Sequence, residues 1–110
     1  MDWNKEYSEE ADKRRKALVE QSYYKYGSAA VNFGRKLVNA LETSEKCVEK
    51  YNRTKNKEYL LDAMNYLMFE YMYPGMEGTY FQYTNSDDSA GIAGMSILEM
   101  ERMKENDGGF

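Results

Sequence analysis

Four acidic side chains in two segments have the residue types and the spacing of a metal site. Glu42 and Glu45 are three residues apart, which places both carboxylates on one face of a helix. Glu58 and Asp62 are four residues apart and share a face in the same way. Carboxylate oxygens are ligands for Mg²⁺, which also keeps water and shares its coordination with substrate phosphates. The two segments therefore predict a magnesium site if their helices lie antiparallel.

The rest of the composition excludes metal sites and catalytic groups that depend on histidine or on paired cysteines. The 110 residues contain no histidine and a single cysteine, Cys47. Zinc sites, Cys–His pairs and Ser–His–Asp triads are therefore excluded, and so is an internal disulfide. Catalysis would have to depend on carboxylates, lysine, tyrosine or an oxygen-ligated metal.

A solvated helix face explains the same carboxylates without a metal. Lys46 and Lys50 lie one helical turn from Glu42, Glu45 and Glu49, so ordinary surface ion pairs account for the spacing. This alternative stays open at the level of the sequence.

Helix-breaking residues divide the chain into the elements that must position these side chains. We predict helices over about 8–25 and 28–51, separated by Gly27, and a third from near Asn56 to the break at Pro74. Residues 52–57 form a polar connector. The fold class predicted is all-α, with three main helices and a short C-terminal helix in a single domain over 1–110.

The C-terminal third has a different composition. Residues 75–94 are rich in Gly, Ser, Asn and Asp, which is typical of an irregular loop, with one β-prone stretch, "TYFQYT". The spacing of Ser96 and Glu99 predicts a capping box that starts a short helix ending near Lys104. Residues 105–110 are expected to fray.

The second and third predicted helices are expected to meet at an interface that contains polar side chains. On the second helix an apolar stripe is predicted, and Glu45 falls near its centre; the stripe consists of Val31, Gly34, Leu37, Val38, Leu41 and Val48. A buried Glu45 would need a cation, a donor or a metal. The third helix is apolar nearly all round. Its broad apolar face comprises Leu60, Leu61, Met64, Leu67, Met68 and Tyr71, and we expect Asp62 and Asn65 on the other side in a covered polar spot.

Charge and composition limit the classes of partner. The net charge of −4 disfavours bulk nucleic-acid binding, and the basic run "KRRK" at 13–16 is expected to pair with Glu9, Glu10 and Asp12 on a solvated helix face. No run is long enough to span a membrane, and the lone cysteine fits the cytoplasm. Eleven tyrosines and eight methionines suit adaptable interfaces, so a binder or a homo-oligomer is expected.

Two segments carry a resemblance to a known family. The stretch "YKYGSAAVNFGRKL" at 24–37, followed by "YLLDAMNYLMFEYM" at 59–72, resembles the all-α nucleoside triphosphate pyrophosphohydrolases of the MazG-like superfamily. The similarity covers roughly residues 25–72 and is greatest to small phage and prophage members of unassigned function. For a phage-encoded protein the location would be the host cytoplasm.

The resemblance implies roles for particular residues. The family's metal-binding motifs correspond to Glu42 and Glu45 on one helix and to Asp62, with Glu58 on the same face, on the other. Glu45 would then orient or deprotonate the attacking water while Mg²⁺ neutralises the charge on the phosphates. Lys25 or Lys46 would contact the phosphates of the substrate. A pocket for the base or the ribose would be formed by Tyr26, Asn32, Asn65 and Tyr66.

One departure from the family pattern keeps other functions open. The second motif should carry a glutamate where this chain has Tyr59. An enzyme is therefore only one of three hypotheses. Another is a non-catalytic phage protein that sequesters a nucleotide signal or inhibits a host defence factor, and a third is a structural helical module.

Overall fold

The computed structural model describes residues 1–85, and all of its helices lie within 1–79, which form one compact unit. The helices are α1 (Trp3–Glu6), α2 (Glu9–Tyr26), α3 (Ala29–Asn32), α4 (Ala40–Thr54) and α5 (Glu58–Met72). No strand occurs in residues 1–85, so the predicted all-α fold class is confirmed. Of the helices in this range, none has the length and apolarity to cross a bilayer.

The chain from Tyr80 onward belongs to a second unit, of which residues 80–85 are described. These residues have neither helix nor strand, and the rings of Phe81 and Tyr83 meet edge to face at 5.0 Å. The rest of the predicted loop, the short helix over 96–104 and the frayed tail at 105–110 lie outside the described residues. The single-domain organisation over 1–110 stays a prediction.

The first long helix begins and ends where its capping residues indicate. The Ser8 hydroxyl accepts a hydrogen bond from the backbone N–H of Ala11 at 3.0 Å, and Gly27, with φ 89°, ends α2. On its surface Arg14 pairs with Glu10 at 2.9 Å. Asp12 pairs with Arg15 at 3.3 Å, whereas the sequence led us to expect Lys13, Arg14 and Lys16 as the partners of the three carboxylates. The basic run is thus a helix face with internal ion pairs.

The second predicted helix is wrong as a single element, because it breaks into α3 and α4. Between them Gly34 lies so close to α3 that a Cβ there would come within 2.1 Å of the Ala30 carbonyl oxygen. Lys36 has the left-handed φ of 57°, and the Val38 N–H donates to the Asn32 carbonyl at 3.0 Å. Asn39 then caps α4 by accepting from the Glu42 N–H at 3.0 Å. An asparagine cap inside the expected helix is the local signal for this break.

The break also overturns the predicted apolar stripe and the place of Glu45 in it. Val31, Leu37 and Val48 are exposed, and so is Glu45. The side of α4 that is buried carries small side chains instead: Ala40, Ser44 and Cys47. Small residues let two helices approach closely, and α4 packs on α5 along its length. Because α4 and α5 are joined by only residues 55–57, they are antiparallel, as expected.

The third helix is confirmed, but its predicted apolar face is only partly buried. The Glu58 N–H donates to Asn56 Oδ1 at 3.0 Å, and the helix stops at Met72 before Pro74. Ala63, Asn65 and Phe69 are buried, whereas Met64, Leu67 and Tyr71, which were assigned to the core, are 44%, 50% and 71% exposed. The covered polar spot at Asn65 is thus confirmed.

The core is thin and aromatic. Phe33, Ala40 and Phe69 form its centre, with Val19 and Met68 among the side chains packed around it. The ring of Phe33 stacks on Phe69 at 4.5 Å. In the described residues no large side chain is completely enclosed, so this core has little depth.

Candidate functional site

A cavity of about 510 Å³ lies next to this core and is lined by residues of α2, α3 and α5. Such a volume is in the range of small-molecule sites in proteins. Five aromatic side chains contribute to its wall: Tyr23, Tyr26, Phe33, Tyr66 and Phe69. Its polar wall consists of Ser22, Asn32, Asp62 and Asn65. The cavity therefore combines flat apolar surfaces with a small number of hydrogen-bonding groups.

The turn after α2 brings two of the polar and aromatic residues together. Gly27 adopts a left-handed φ of 89° that side-chain-bearing residues rarely adopt, and the chain reverses into α3. Across this turn Asn32 Nδ2 donates to the main-chain carbonyl of Tyr26 at 3.1 Å. Residues six positions apart thus line one cavity, because the turn is closed by a side-chain hydrogen bond.

The aromatic wall is built by contacts between α3 and α5. Phe33, which follows α3, stacks on Phe69 and meets Tyr66 edge to face at 6.0 Å. Tyr66 is half-buried, and its neighbours include Asp62 on the preceding turn of α5. Burial, then the nearby Cys47 and Asp62, raises the pKa of the Tyr66 hydroxyl, so this hydroxyl stays protonated at neutral pH.

Asn65 fixes the polar wall to α2. Its side chain is 6% exposed, and Nδ2 donates to the main-chain carbonyl of Arg15 at 3.1 Å. Its Oδ1 is shielded from solvent and has no hydrogen-bond partner in the described part of the chain. An unsatisfied buried acceptor is costly, so Asn65 is the kind of group that a bound water or ligand would complete.

Asp62 is the acidic group of the cavity. It is half-buried, and burial, followed by the negative charge of Glu58, raises the pKa of its carboxyl above the ordinary value. The same carboxyl, after burial itself, raises the pKa of the Cys47 thiol on α4. A carboxyl with a raised pKa in a cleft is a recognised mark of a functional site.

The structure gathers most of the substrate contacts expected from the sequence. Tyr26, Asn32, Asn65 and Tyr66 all line the one cavity, together with Asp62. Lys25 is exposed at the end of α2, directly before Tyr26. Lys46 lies elsewhere, because its ammonium pairs with Glu42 at 3.3 Å on the exposed side of α4.

The four carboxylates of the predicted metal site are not gathered in the same way. Glu42 and Glu45 are exposed on α4, and Glu58 lines a separate hollow with Arg14 and Asn56. Within residues 1–85 no three acidic or cysteine side chains come close enough together to hold a metal ion. The catalytic role of Glu45 and the magnesium site stay predictions.

Tyr59, which replaces the expected glutamate, has a defined neighbour. The Lys50 ammonium of α4 lies 5.7 Å from the centre of the Tyr59 ring, a cation–π arrangement between the antiparallel helices. The position thus contributes to packing of α4 on α5 in this chain.

Apart from Tyr26, sequence reasoning missed the contribution of α2 to the cavity. Leu18, Ser22 and Tyr26 are spaced four residues apart and line the cavity from one face of α2. This spacing was present in the sequence, but the charged residues earlier in α2 obscured it. Phe33 and Phe69 were also missed as cavity residues.

The comparisons with known proteins add nothing to this geometry, since no family model, no curated protein and no solved structure matches the chain. Fold and site define a helical protein with one aromatic-walled, small-molecule-sized cavity whose only charged wall residue in the described range is an aspartate.

Proposed function

We propose that this chain is a nucleotide-binding helical protein of MazG-like type that holds a nucleoside in the cavity between α2, α3 and α5. The observation that carries the proposal is the convergence of Tyr26, Asn32, Asn65 and Tyr66 on this cavity. These residues were assigned to a base or ribose pocket from the sequence, although they come from three different helices or turns.

The lining suits the planar part of a nucleotide. Aromatic side chains stack on any nucleobase, and each stacked base contributes about 1–3 kcal/mol. Tyr26 and Tyr66 are two such side chains, and both also carry hydroxyl groups that can bind a ribose. Lys25 is exposed next to Tyr26 and can reach phosphates that remain outside the cavity.

Binding without cleavage is the form of this function that the geometry supports best. Hydrolysis requires carboxylates that hold Mg²⁺ against the triphosphate, and those in residues 1–85 are dispersed. A protein of this kind would sequester a nucleotide signal. The alternative is a Mg²⁺-dependent pyrophosphohydrolase, in which a second copy of the chain or the magnesium–nucleotide complex itself would bring Glu45 and Asp62 together.

Titration calorimetry with each NTP and dNTP tests the proposal, once with EDTA and once with Mg²⁺, alongside an assay for released phosphate and pyrophosphate. We expect at least one nucleotide to bind in EDTA and none to be hydrolysed. Binding of no nucleotide would refute the proposal, and release of pyrophosphate with Mg²⁺ would establish the enzyme instead.

Two tyrosines provide a matched pair of variants. Tyr26 and Tyr71 are both 71% exposed and both on helices, but only Tyr26 lines the cavity. Loss of one stacked ring predicts that Tyr26→Ala weakens nucleotide binding about tenfold. Tyr71→Ala should leave the affinity unchanged. Equal effects of the two substitutions would place the nucleotide elsewhere.

A further inference from the structure

The two asparagines in the cavity wall have a fixed orientation. Asn32 Nδ2 donates to the carbonyl of Tyr26, and Asn65 Nδ2 donates to the carbonyl of Arg15, each at 3.1 Å. A main-chain carbonyl can only accept a hydrogen bond, so neither amide can rotate its oxygen into that place without losing the bond. Each amide therefore keeps its orientation, and its Oδ1 and the second N–H of its Nδ2 remain for other partners.

Asp62 is the polar group of this wall that can only accept when ionised, whereas Ser22 and the tyrosine hydroxyls can both donate and accept. Asp62 lies one turn before Asn65 on α5 and lines the same cavity. An ionised carboxylate accepts hydrogen bonds and cannot donate them. Asn65 Oδ1 is shielded from solvent and lacks a donor within residues 1–85, so the wall already contains one acceptor with an unmet requirement.

Positive charge is missing from this wall. Among its described lining residues there is no lysine or arginine, and Asp62 is the one ionisable carboxyl. A phosphate inside the cavity would meet a carboxylate with no cation to compensate it, which is unfavourable at short range. A group that donates hydrogen bonds would instead find an acceptor in the Asp62 carboxylate.

We propose that the Asp62 carboxylate and Asn65 Oδ1 select ligands whose buried end donates hydrogen bonds, namely nucleobases that carry an amino group, and that the cavity leaves their phosphates outside. The inference rests on the proposed nucleotide binding and specifies the part of the nucleotide that is recognised. Adenine, cytosine and guanine each present an NH₂ group, whereas uracil presents carbonyl oxygens at the corresponding edge. Those oxygens would face the acceptors of Asp62 and Asn65.

Nucleosides without phosphate test this directly, because they carry only the part that the cavity would recognise. Calorimetric titration of the full chain with adenosine, guanosine, cytidine and uridine should show at least one amino-bearing nucleoside bound about tenfold more tightly than uridine. Uridine binding as tightly as the others would overturn the inference while nucleotide binding stands. Nucleotides that bind while every nucleoside fails to bind would overturn it too. If neither nucleosides nor nucleotides bind, both this inference and the proposed function are refuted.

Substitutions at one carboxyl provide the second measurement. Asp62→Asn keeps the size of the side chain but adds an NH₂ donor, so the preference over uridine should fall about tenfold. Glu49→Gln is the control, because Glu49 is an exposed acid on α4 that pairs with Arg53 at 3.8 Å and does not line the cavity. It should retain the wild-type preference.

A wild-type preference in Asp62→Asn, with the variant folded by circular dichroism, would overturn the role of Asp62. Replacing a half-buried carboxylate by its neutral isostere removes a buried charge, so a merely structural Asp62 would change stability and leave the order of the nucleosides intact. Should the variant not fold, the comparison of nucleosides on the wild-type chain decides the proposal alone.

Discussion

Asn65 donates a hydrogen bond from its side-chain amide to the main-chain carbonyl of Arg15, 3.1 Å away and 50 residues earlier in the chain. The bond joins the middle of α5 to α2. Packing holds the two helices together as well, since Val19 of α2 lies against the apolar core. Of the four residues of the charged run of α2, Arg15 is itself partly buried and the other three are exposed.

The first prediction concerns this bond. Asn65→Ala removes the donor to the Arg15 carbonyl and should lower the free energy of unfolding by about 0.5–1.5 kcal/mol, the usual net contribution of such a hydrogen bond. Urea denaturation measures the change. Asn52→Ala is the control, because Asn52 is exposed on α4 and alanine favours the helix there, so stability should rise slightly. Equal shifts in the two variants would contradict the contribution of the bond.

The second prediction is a pH dependence that comes from Asp62. Burial, and then Glu58, raises the folded-state pKa of this carboxyl, so the folded chain binds its proton more tightly than the unfolded chain. Its ionisation therefore destabilises the fold above that raised pKa, and this cost disappears as the pH falls through it toward the unfolded value of about 3.9.

Asp62→Asn should accordingly be more stable than the wild type at pH 7, by an amount that shrinks as the pH is lowered. Chemical denaturation of both proteins over a pH series measures the difference. Asp12, whose pKa is lowered by its hydrogen bond from Tyr7, is present in both proteins, so its contribution to the pH dependence cancels in the difference. A difference that is constant with pH would refute the assignment to Asp62.

The third prediction concerns the start of α4. Asn39 accepts a hydrogen bond from the Glu42 N–H, so Asn39→Ala should cost about 1 kcal/mol of stability, whereas Asn39→Asp should keep the cap. Thermal or urea unfolding of the two variants provides the comparison. If alanine and aspartate behave alike, the cap contributes nothing and α4 is held by its packing on α5.

The fourth prediction concerns Cys47. The thiol is buried, and burial, with a smaller effect of Asp62, raises its pKa, so little reactive thiolate is present at neutral pH. Alkylation by iodoacetamide should be slow in the folded protein and should accelerate strongly in urea. A rate in native buffer close to that of a free thiol would show that α4 and α5 separate readily.

The sequence predicted the helices where local signals were strong. Ser8, Gly27 and Pro74 mark ends that depend only on neighbouring backbone, and each end was found near its predicted position. The break before α4 was missed, because Gly34 was read as a member of an apolar stripe and Asn39 was not recognised as a helix cap. α1 was missed as well, although Asp2 caps it by accepting from the Asn4 N–H at 3.2 Å.

The buried faces were harder to predict for a different reason. A helical wheel weights large apolar side chains, so it favoured Val48 on α4 and Met64 on α5, which are exposed. The helices meet instead through Ala40, Cys47 and Ala63, since small residues permit close approach. The composition of the cavity was predictable at Asn65 and Tyr66. Its wall from α2 depends on how the helices cross, which periodicity alone does not contain.

The shallow core around Phe33 and Phe69 has a consequence for the lifetime of the protein. A unit with so little enclosed apolar volume has a small free energy of unfolding. A ligand present at a hundredfold excess over its dissociation constant would add about 2.7 kcal/mol, which is a large fraction of that total. Proteases that cleave the unfolded chain would therefore degrade the empty protein much faster than the occupied one. Supply of the ligand would then set the abundance of the protein, so that little of it persists without something to bind.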